Sequence, residues 1–411
     1  MVKIDLEGTQ TNLDQLRNLK LQQNSIQIGK LSGVDNTNIS TLAVLIGYEA
    51  GRYAKNLNDN IFIGYRSGYN ANTSRGNVFL GTESGFMNRE GEMNVYIGNQ
   101  CGYASTGHLN VFIGSMSGRN NRNGSSNVFV GKDCGQRNSD GSFNTFIGTA
   151  CGATNTFGKR NVFVGYECGA NNTSGDNNVF IGDSAGKQNL LGNQNVFCGG
   201  ICGERNVRGS QNSFFGFNCG SQNTDGNMNV FVGYNSGITN SNGSANVFVG
   251  TNSGRNNNQG NNNVFMGARA GENSKSCNNN VFVGNKSGLN NQKGFNNVYI
   301  GSECGYNSKS SASNVFIGYK AGYNASSVED IGIVQAIDPV SLIDHRQLLN
   351  VNDINSFPQA LTLIYTNVFG TFALNTKSNI PFRVDEYVYR PVIEITLSEY
   401  SSLNETDYEM F

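Results

Sequence analysis

A five-residue motif, Asn–apolar–aromatic–apolar–Gly, recurs along most of the chain, as in Asn127–Gly131. Its closing glycine returns every 17 residues through sixteen full repeats, from Gly64 to Gly318, except for one interval of 16 residues after Gly98. A period this short holds about two strand-length segments and two turns, which is typical of a β-solenoid with one repeat per rung. The sequence therefore predicts an all-β fold, a parallel β-solenoid (β-roll) with 17-residue rungs over residues 24–325.

Each rung can be divided by its fixed positions. The strand and its closing glycine are followed by a small residue (Ser, Ala or Cys) three positions on and a second glycine four positions on. Asn is frequent seven positions after the closing glycine, and a third glycine is common ten positions after it. Glycine and asparagine tolerate positive φ at corners. We therefore expect strand, tight turn, a short strand around the Ser-Gly pair, and an Asn-x-x-Gly turn.

Composition excludes several functional classes. The 411 residues include 53 Gly and 4 Pro, only 14% are charged, and the formal net charge is −1. Nucleic-acid binding needs clustered Lys and Arg, so no nucleic-acid partner is expected. The N-terminal sequence has no basic segment followed by an apolar run, and no stretch approaches about 20 apolar residues. We expect synthesis in a cytoplasm, no signal peptide and no membrane insertion.

Asparagine occupies the position four before the closing glycine in all sixteen full repeats. In-register stacking would let each side-chain amide bond to the next rung, as in amyloid-like Asn ladders. The alternative is that Asn simply suits a turn, but other polar residues would do that equally well. We therefore predict an Asn ladder. Its members are Asn60, Asn77, Asn94, Asn110, Asn127, Asn144, Asn161, Asn178, Asn195, Asn212, Asn229, Asn246, Asn263, Asn280, Asn297 and Asn314.

The strand is apolar on both faces. Neighbouring strand residues point to opposite sides, so Val128 and Val130 face one way and Phe129 the other. Val and Ile packed against the Ser/Ala/Cys column would fill a narrow rung and leave Phe outside, whereas the inverted assignment leaves Val and Ile outside. Either stripe exceeds the few hundred Å² that monomers usually expose. We predict a homotrimer with the aromatic column on its axis.

The predicted interface consists of the aromatic residue of every full repeat. These residues are Phe62, Phe79, Tyr96, Phe112, Phe129, Phe146, Phe163, Phe180, Phe197, Phe214, Phe231, Phe248, Phe265, Phe282, Tyr299 and Phe316.

The nine cysteines are interpreted as packing residues. Seven occupy the small-residue position shared with Ser and Ala, while Cys198 takes an apolar position and Cys277 replaces the third glycine. A spacing of 17 matches no zinc pattern, and free Cys packs as a small hydrophobe. The two histidines, His108 and His345, have no supporting catalytic motif. We expect no catalytic residues, no metal, no cofactor and no enzymatic activity.

The repeat resembles the "SVAIGxxAxA" repeats of the YadA-like head of trimeric autotransporter adhesins, over about residues 40–325. Val128, Phe129, Val130 and Gly131 match that pattern in order, although the rung is longer here and Phe replaces a small residue. The resemblance implies a left-handed parallel β-roll in a trimer. Similar Gly/Asn-rich β-rolls also occur in fibre proteins of phages and large viruses.

Two further segments flank the repeats. Residues 1–23 are predicted to form an N-terminal collar with a short helix over 11–23 that sets register in a coiled coil; a frayed terminus is the alternative. Two degenerate rungs, which end at Gly29 and Gly47, would cap the solenoid. Residues 326–411 contain all four prolines and the strand-like segments "IGIVQAI", "LTLIY", "FGTFAL" and "VIEITL". They predict a small β-rich domain serving as tip, attachment foot or cap.

These observations favour a structural fibre or spike. Sixteen rungs at about 4.8 Å would make a stalk of roughly 75–80 Å. We expect an elongated homotrimer on a virion surface, fixed at one end to a capsid, tail or surface protein, with a host receptor or glycan as a further partner. A bacterial surface adhesin is the alternative. A solenoid enzyme acting on polysaccharide would need acidic residues aligned on one face, and the sequence shows none.

Overall fold

The computed structural model describes residues 19–22, 25–33, 39–325, 331–333, 362–367 and 370–375. Every regular element in these segments is a β-strand. The chain divides into two units, Met1–Asp225 and Gly226–Phe411. Both units contain the parallel β-solenoid that the repeat predicted, with successive strands separated by the 17-residue period.

The described residues of the first unit form fifteen strands. They are β1 (Leu19–Gln22), β2 (Ser25–Ile28), β3 (Ile39–Thr41), β4 (Val44–Ile46), β5 (Leu57–Asn58), β6 (Ile61–Ile63), β7 (Val78–Leu80), β8 (Val95–Ile97), β9 (Val111–Ile113), β10 (Val128–Val130), β11 (Thr145–Ile147), β12 (Val162–Val164), β13 (Val179–Ile181), β14 (Val196–Cys198) and β15 (Ser213–Phe215). From β2 through β4 and β6 to β15, each strand pairs in parallel with the next in strict register, so that Phe129 lies opposite Phe112 and Phe146.

The second unit continues the same pattern. Its strands are β16 (Val230–Val232), β17 (Val247–Val249), β18 (Val264–Met266), β19 (Val281–Val283), β20 (Val298–Ile300), β21 (Val315–Ile317), β22 (Ile331–Ile333), β23 (Thr362–Asn367) and β24 (Gly370–Asn375). Strands β16 to β22 form a parallel ladder, whereas β23 and β24 form an antiparallel hairpin.

The path of one rung can be followed from Asn127. After β10, Gly131 has φ +139°, and the chain then turns through Asp133 and Gly135, which both have left-handed backbone at φ +56° and +57°. The segment around Cys134 and Gly135, expected as a second short strand, is a turn. Left-handed residues other than glycine recur two and twelve positions after the closing glycine, where the side chain varies from repeat to repeat.

The aromatic column lies inside the solenoid, and its predicted position at an oligomer interface is wrong. All sixteen aromatic side chains are buried within the single chain. Their rings stack nearly parallel, with centroids 4.7–4.9 Å apart from Phe62 to Phe214 and 4.7–5.2 Å apart from Phe231 to Phe316. The physical reason is the second glycine of each rung, whose missing Cβ leaves the space that the ring occupies. Val and Ile therefore take the outer side, as in the inverted assignment.

The predicted Asn ladder is confirmed. All sixteen asparagines are buried. The Nδ2 of Asn127 donates to Oδ1 of Asn110 at 3.2 Å and to the carbonyl oxygen of Gly141 at 2.9 Å. Its own Oδ1 accepts from the backbone N–H of Asn144 at 2.9 Å. Each amide thus links three successive rungs and satisfies backbone groups that have no strand partner.

The structure contains a second Asn ladder, which the sequence analysis did not predict. The asparagines seven positions after the closing glycine are buried, and Nδ2 of Asn155 donates to Oδ1 of Asn138 at 2.6 Å. The same bond joins Asn172 to Asn155 and Asn189 to Asn172. The frequency of Asn at this position was the available signal. Its inward direction depends on how the turn closes, which the repeat pattern does not show.

The cysteines pack as predicted. The seven at the small-residue position are buried thiols, and Cys277 is buried as well, while Cys198 is half-buried. Cys134 Sγ lies 3.2 Å from the carbonyl oxygen of Phe146 in the next rung. In another rung, Ser67 occupies the position of Cys134, and its Oγ makes the equivalent bond to the carbonyl oxygen of Phe79 at 3.1 Å. A small side chain with a weak or strong donor fits this position, which explains why Cys and Ser interchange.

The two flanking segments differ in part from expectation. Residues 19–22 form strand β1, antiparallel to β2 with Leu19 opposite Ile28, so the helix over 11–23 is wrong there. Residues 1–18 lie outside the described segments. The degenerate rungs ending at Gly29 and Gly47 carry β2 and β4, which belong to the same parallel ladder.

The C-terminal segment is described only in part. Strand β22 adds one more rung beyond the last full repeat, with Gly332 opposite Phe316. The predicted strands "LTLIY" and "FGTFAL" correspond to β23 and β24. "VIEITL" lies outside the described residues, and a separate domain over 326–411 stays a prediction.

Candidate interaction surface

The outer side of the parallel ladder is apolar. In β4, β6–β15 and β16–β21 the middle residue of the strand is buried, while the first and third are half-buried or exposed. Ile147 and Ile181, for example, are 41% and 43% exposed. We call the first and third residues of β4 and β6–β15 in the first unit, and of β16–β21 in the second, the outer apolar face. In each unit it forms two unbroken columns at the spacing of the rungs.

The outer apolar face carries no charge. Only Thr145 and Ser213 among its members are polar; Thr145 lies between Val128 and Val162, and Ser213 lies opposite Val196. In-register stacking buries the flanks of each side chain against the rung above and below, so mainly the tips meet solvent. Of the two assignments that the sequence allowed, the one with Phe inside and Val and Ile outside agrees with the structure.

Large apolar residues also flank the strands. Exposed Met93, Leu109 and Phe143 each lie directly before the ladder asparagine that begins the next rung. Exposed Tyr166 and Phe217 lie directly after the closing glycine of theirs. The outer apolar face is therefore bordered at both strand ends by positions that often hold further exposed apolar side chains.

Most of the ion pairs among the described residues lie on the turns that follow the closing glycine. Nε of Arg66 lies 2.7 Å from Oε2 of the buried Glu49, which also accepts from Arg52. Burial alone would raise the pKa of Glu49, but the hydrogen bonds from Arg66 and Arg52 lower it overall. Lys187 and Glu167 form a similar rung-to-rung pair at 2.6 Å, and the hydrogen bond from Lys187 lowers the pKa of Glu167.

The other candidates for chemistry are the cysteine thiols and His108, and their contacts are those of packing residues. Burial raises the pKa of the Cys101 thiol, and it raises those of Cys277 and Cys304 to about 12. A buried thiol with a raised pKa is a poor nucleophile. His108 accepts a hydrogen bond at Nδ1 from the backbone N–H of Glu92 at 3.2 Å. Within the described residues, no group of three or more His, Cys, Asp or Glu side chains could hold a metal ion.

The Phe column and the Asn ladder therefore lie in the interior, whereas the residues available to a partner are those of the outer apolar face and the apolar residues that border it. The signal that could have identified them is the second glycine, which stands four residues after the closing glycine in every full repeat. A column without Cβ atoms leaves room for a ring, so its repetition beside an invariant aromatic indicates that the two columns face each other.

No protein family, curated protein or solved structure matches the chain. The likeness to adhesin heads is thus a likeness of repeat pattern. Among the described segments there is no helix with the length and hydrophobicity needed to cross a membrane.

Proposed function

We propose that this protein is a structural protein without enzymatic activity, the elongated stalk of a fibre or spike assembled from three copies of the chain. One observation carries the proposal: the inward positions of successive rungs are occupied by side chains that bond or stack with the next rung. Phe129 stacks between Phe112 and Phe146, and Asn127 bonds to Asn110 and Asn144.

An interior of this kind extends in one direction. Each rung contacts its neighbours in the same way, so adding a rung lengthens the solenoid by one ring spacing of 4.7–4.9 Å and changes nothing else. Repeat proteins with nearest-neighbour contacts are stable in proportion to their number of repeats. Such an interior favours a spacer or stalk over a protein built around a cavity.

The proposed setting is a virion surface or tail fibre, with one end attached to a capsid, tail or surface protein and a host receptor or glycan as a further partner. It is supported by the likeness of the Gly/Asn-rich repeat to the β-rolls of viral fibres. Immunogold labelling of purified virions, compared with cell-surface fractions, tests it. Labelling confined to cell surfaces would favour a bacterial adhesin instead.

Electron microscopy of the negatively stained full-length protein tests the proposed stalk. We expect uniform rods whose length agrees with the number of rungs at about 4.8 Å each. Compact particles without a long axis would contradict a stalk function.

A further inference from the structure

We propose that the outer apolar face is the surface through which copies of this chain bind one another. This assignment deepens the proposed stalk and rests on it, because it names the residues that hold the copies together. The proposed interface residues are the first and third residues of the solenoid strands. The aromatic column predicted from the sequence is buried in the interior, where no partner can reach it.

The size of the face favours a binding role, because patches this large on a monomer are often functional. In the first unit, eleven strands at about 4.8 Å give a length of about 50 Å, and two columns give a width of about 10 Å, or on the order of 500 Å². That is near the upper end of the roughly 300–600 Å² that monomers expose as a single patch. The bordering apolar residues of the same unit extend this patch toward the roughly 800 Å² per partner of a stable interface.

The chemistry of the face selects an apolar partner. Its members are Val, Ile and similar residues at nearly every position, and the ion pairs, such as Glu49 with Arg66, lie on the turns instead. A charged ligand would find no complementary group on the two columns. Depletion of charge at the centre and a polar rim are features of interfaces between protein subunits.

The spacing of the face selects the identity of that partner. Ile113, Val130 and Ile147 stand directly opposite one another in successive rungs, and this register holds along each unit. A second copy of the chain has the same spacing and the same apolar columns. Rotation about an axis parallel to the stack brings every rung against an equivalent rung, so contacts made once are repeated along the whole face.

The test compares two double variants of the full chain by analytical ultracentrifugation. Ile147→Lys/Ile181→Lys places two charges on the face, two rungs apart. The control, Phe157→Lys/Leu191→Lys, changes apolar residues of the same two rungs that are somewhat more accessible, at 56% and 48% exposure, but lie outside the strands. We expect oligomers for the wild type and the control. The face variant should associate at least about 100-fold more weakly, because like charges would meet in the interface.

A monomeric wild type, or a face variant that assembles as well as the control, would overturn the assignment. Circular dichroism and the thermal midpoint establish that each variant is folded. If the face variant fails to fold, maleimide labelling of Ile147→Cys and Leu191→Cys, read by peptide mass spectrometry, gives the second measurement. We expect slow labelling at position 147 and fast labelling at 191; equal rates would contradict the proposal.

The failure of this interface and that of the stalk are distinguishable. Monomeric rods would contradict the interface and leave the stalk intact. Oligomers that use the face but form compact particles would contradict the stalk alone.

Discussion

Gly135 and Phe129 face each other so closely that a Cβ atom on Gly135 would lie 2.5 Å from Cδ2 and Cε2 of the Phe129 ring. The same relationship joins Gly152 to Phe146 and Gly85 to Phe79. Real Cβ atoms do not approach other heavy atoms this closely. The aromatic rings therefore pack directly against the column of glycines. The left-handed backbone of Gly135, at φ +57°, adds a second requirement for glycine.

Gly135→Ala should be strongly destabilising. The left-handed conformation costs an L-residue about 1–2 kcal/mol, and overpacking against the ring adds about 1–3 kcal/mol. The denaturant midpoint of the full chain, measured by circular dichroism, reports the loss. Gly200→Ala is the control, because other rungs carry side chains at that position and a Cβ there would meet only the Phe217 side chain. Equal midpoints for the two variants would contradict the proposed packing.

Phe129→Ala should lower the free energy of unfolding by about 3–5 kcal/mol, as expected for a buried aromatic. Phe143→Ala in the same rung should change it by less than about 0.5 kcal/mol, since that ring is 59% exposed. Urea unfolding of both variants provides the measurement. A Phe129 variant of wild-type stability that nevertheless lost oligomers would return the aromatic column to the interface.

Asn127→Ala should break the ladder at one rung. The backbone N–H of Asn144 would lose its partner in a buried site, at about 1–3 kcal/mol, whereas the carbonyl oxygen of Gly141 would keep its hydrogen bond from Nδ2 of Asn138. Asn123→Ala is the matched control, because its Nδ2 bonds to Asp140 of the next rung at 2.7 Å on the exposed surface. We expect a change within about 0.5 kcal/mol there. Similar losses at both sites would argue against the ladder as a source of stability.

Glu49→Gln should make stability less dependent on pH. The pKa of Glu49 is lowered in the folded chain, so its carboxylate contributes stability above the unfolded pKa of about 4.3, which is lost as pH falls through the folded pKa. The variant should therefore be less stable than the wild type at pH 7, and the difference should shrink toward pH 3. Urea midpoints across this range test it, with exposed Glu90→Gln as control. A difference independent of pH would exclude the ion pair as its cause.

The N-terminal segment shows why local pattern can mislead. The leucines of residues 11–23 fit one side of a helix, but Leu19–Gln22 pairs with β2 instead. The first strand of a solenoid presents a row of free backbone N–H and C=O groups, and pairing with any neighbouring extended segment satisfies them. That demand comes from the solenoid and is not visible in the thirteen residues themselves.

Strict periodicity was enough to predict the rung, its strand and its Asn ladder. A strict period places every repeat in the same environment, so an asparagine that returns at one position must stack on its own copies, as Asn127 does on Asn110. Which side of the strand faces the interior depends on how the rung closes in three dimensions. Val128 and Phe129 are both apolar, so burial favours either one, and hydrophobicity cannot choose between them. The choice follows from shape: after the chain turns back, Gly135 leaves a space in front of the strand that fits an aromatic ring, and this fit places Val128 on the outside.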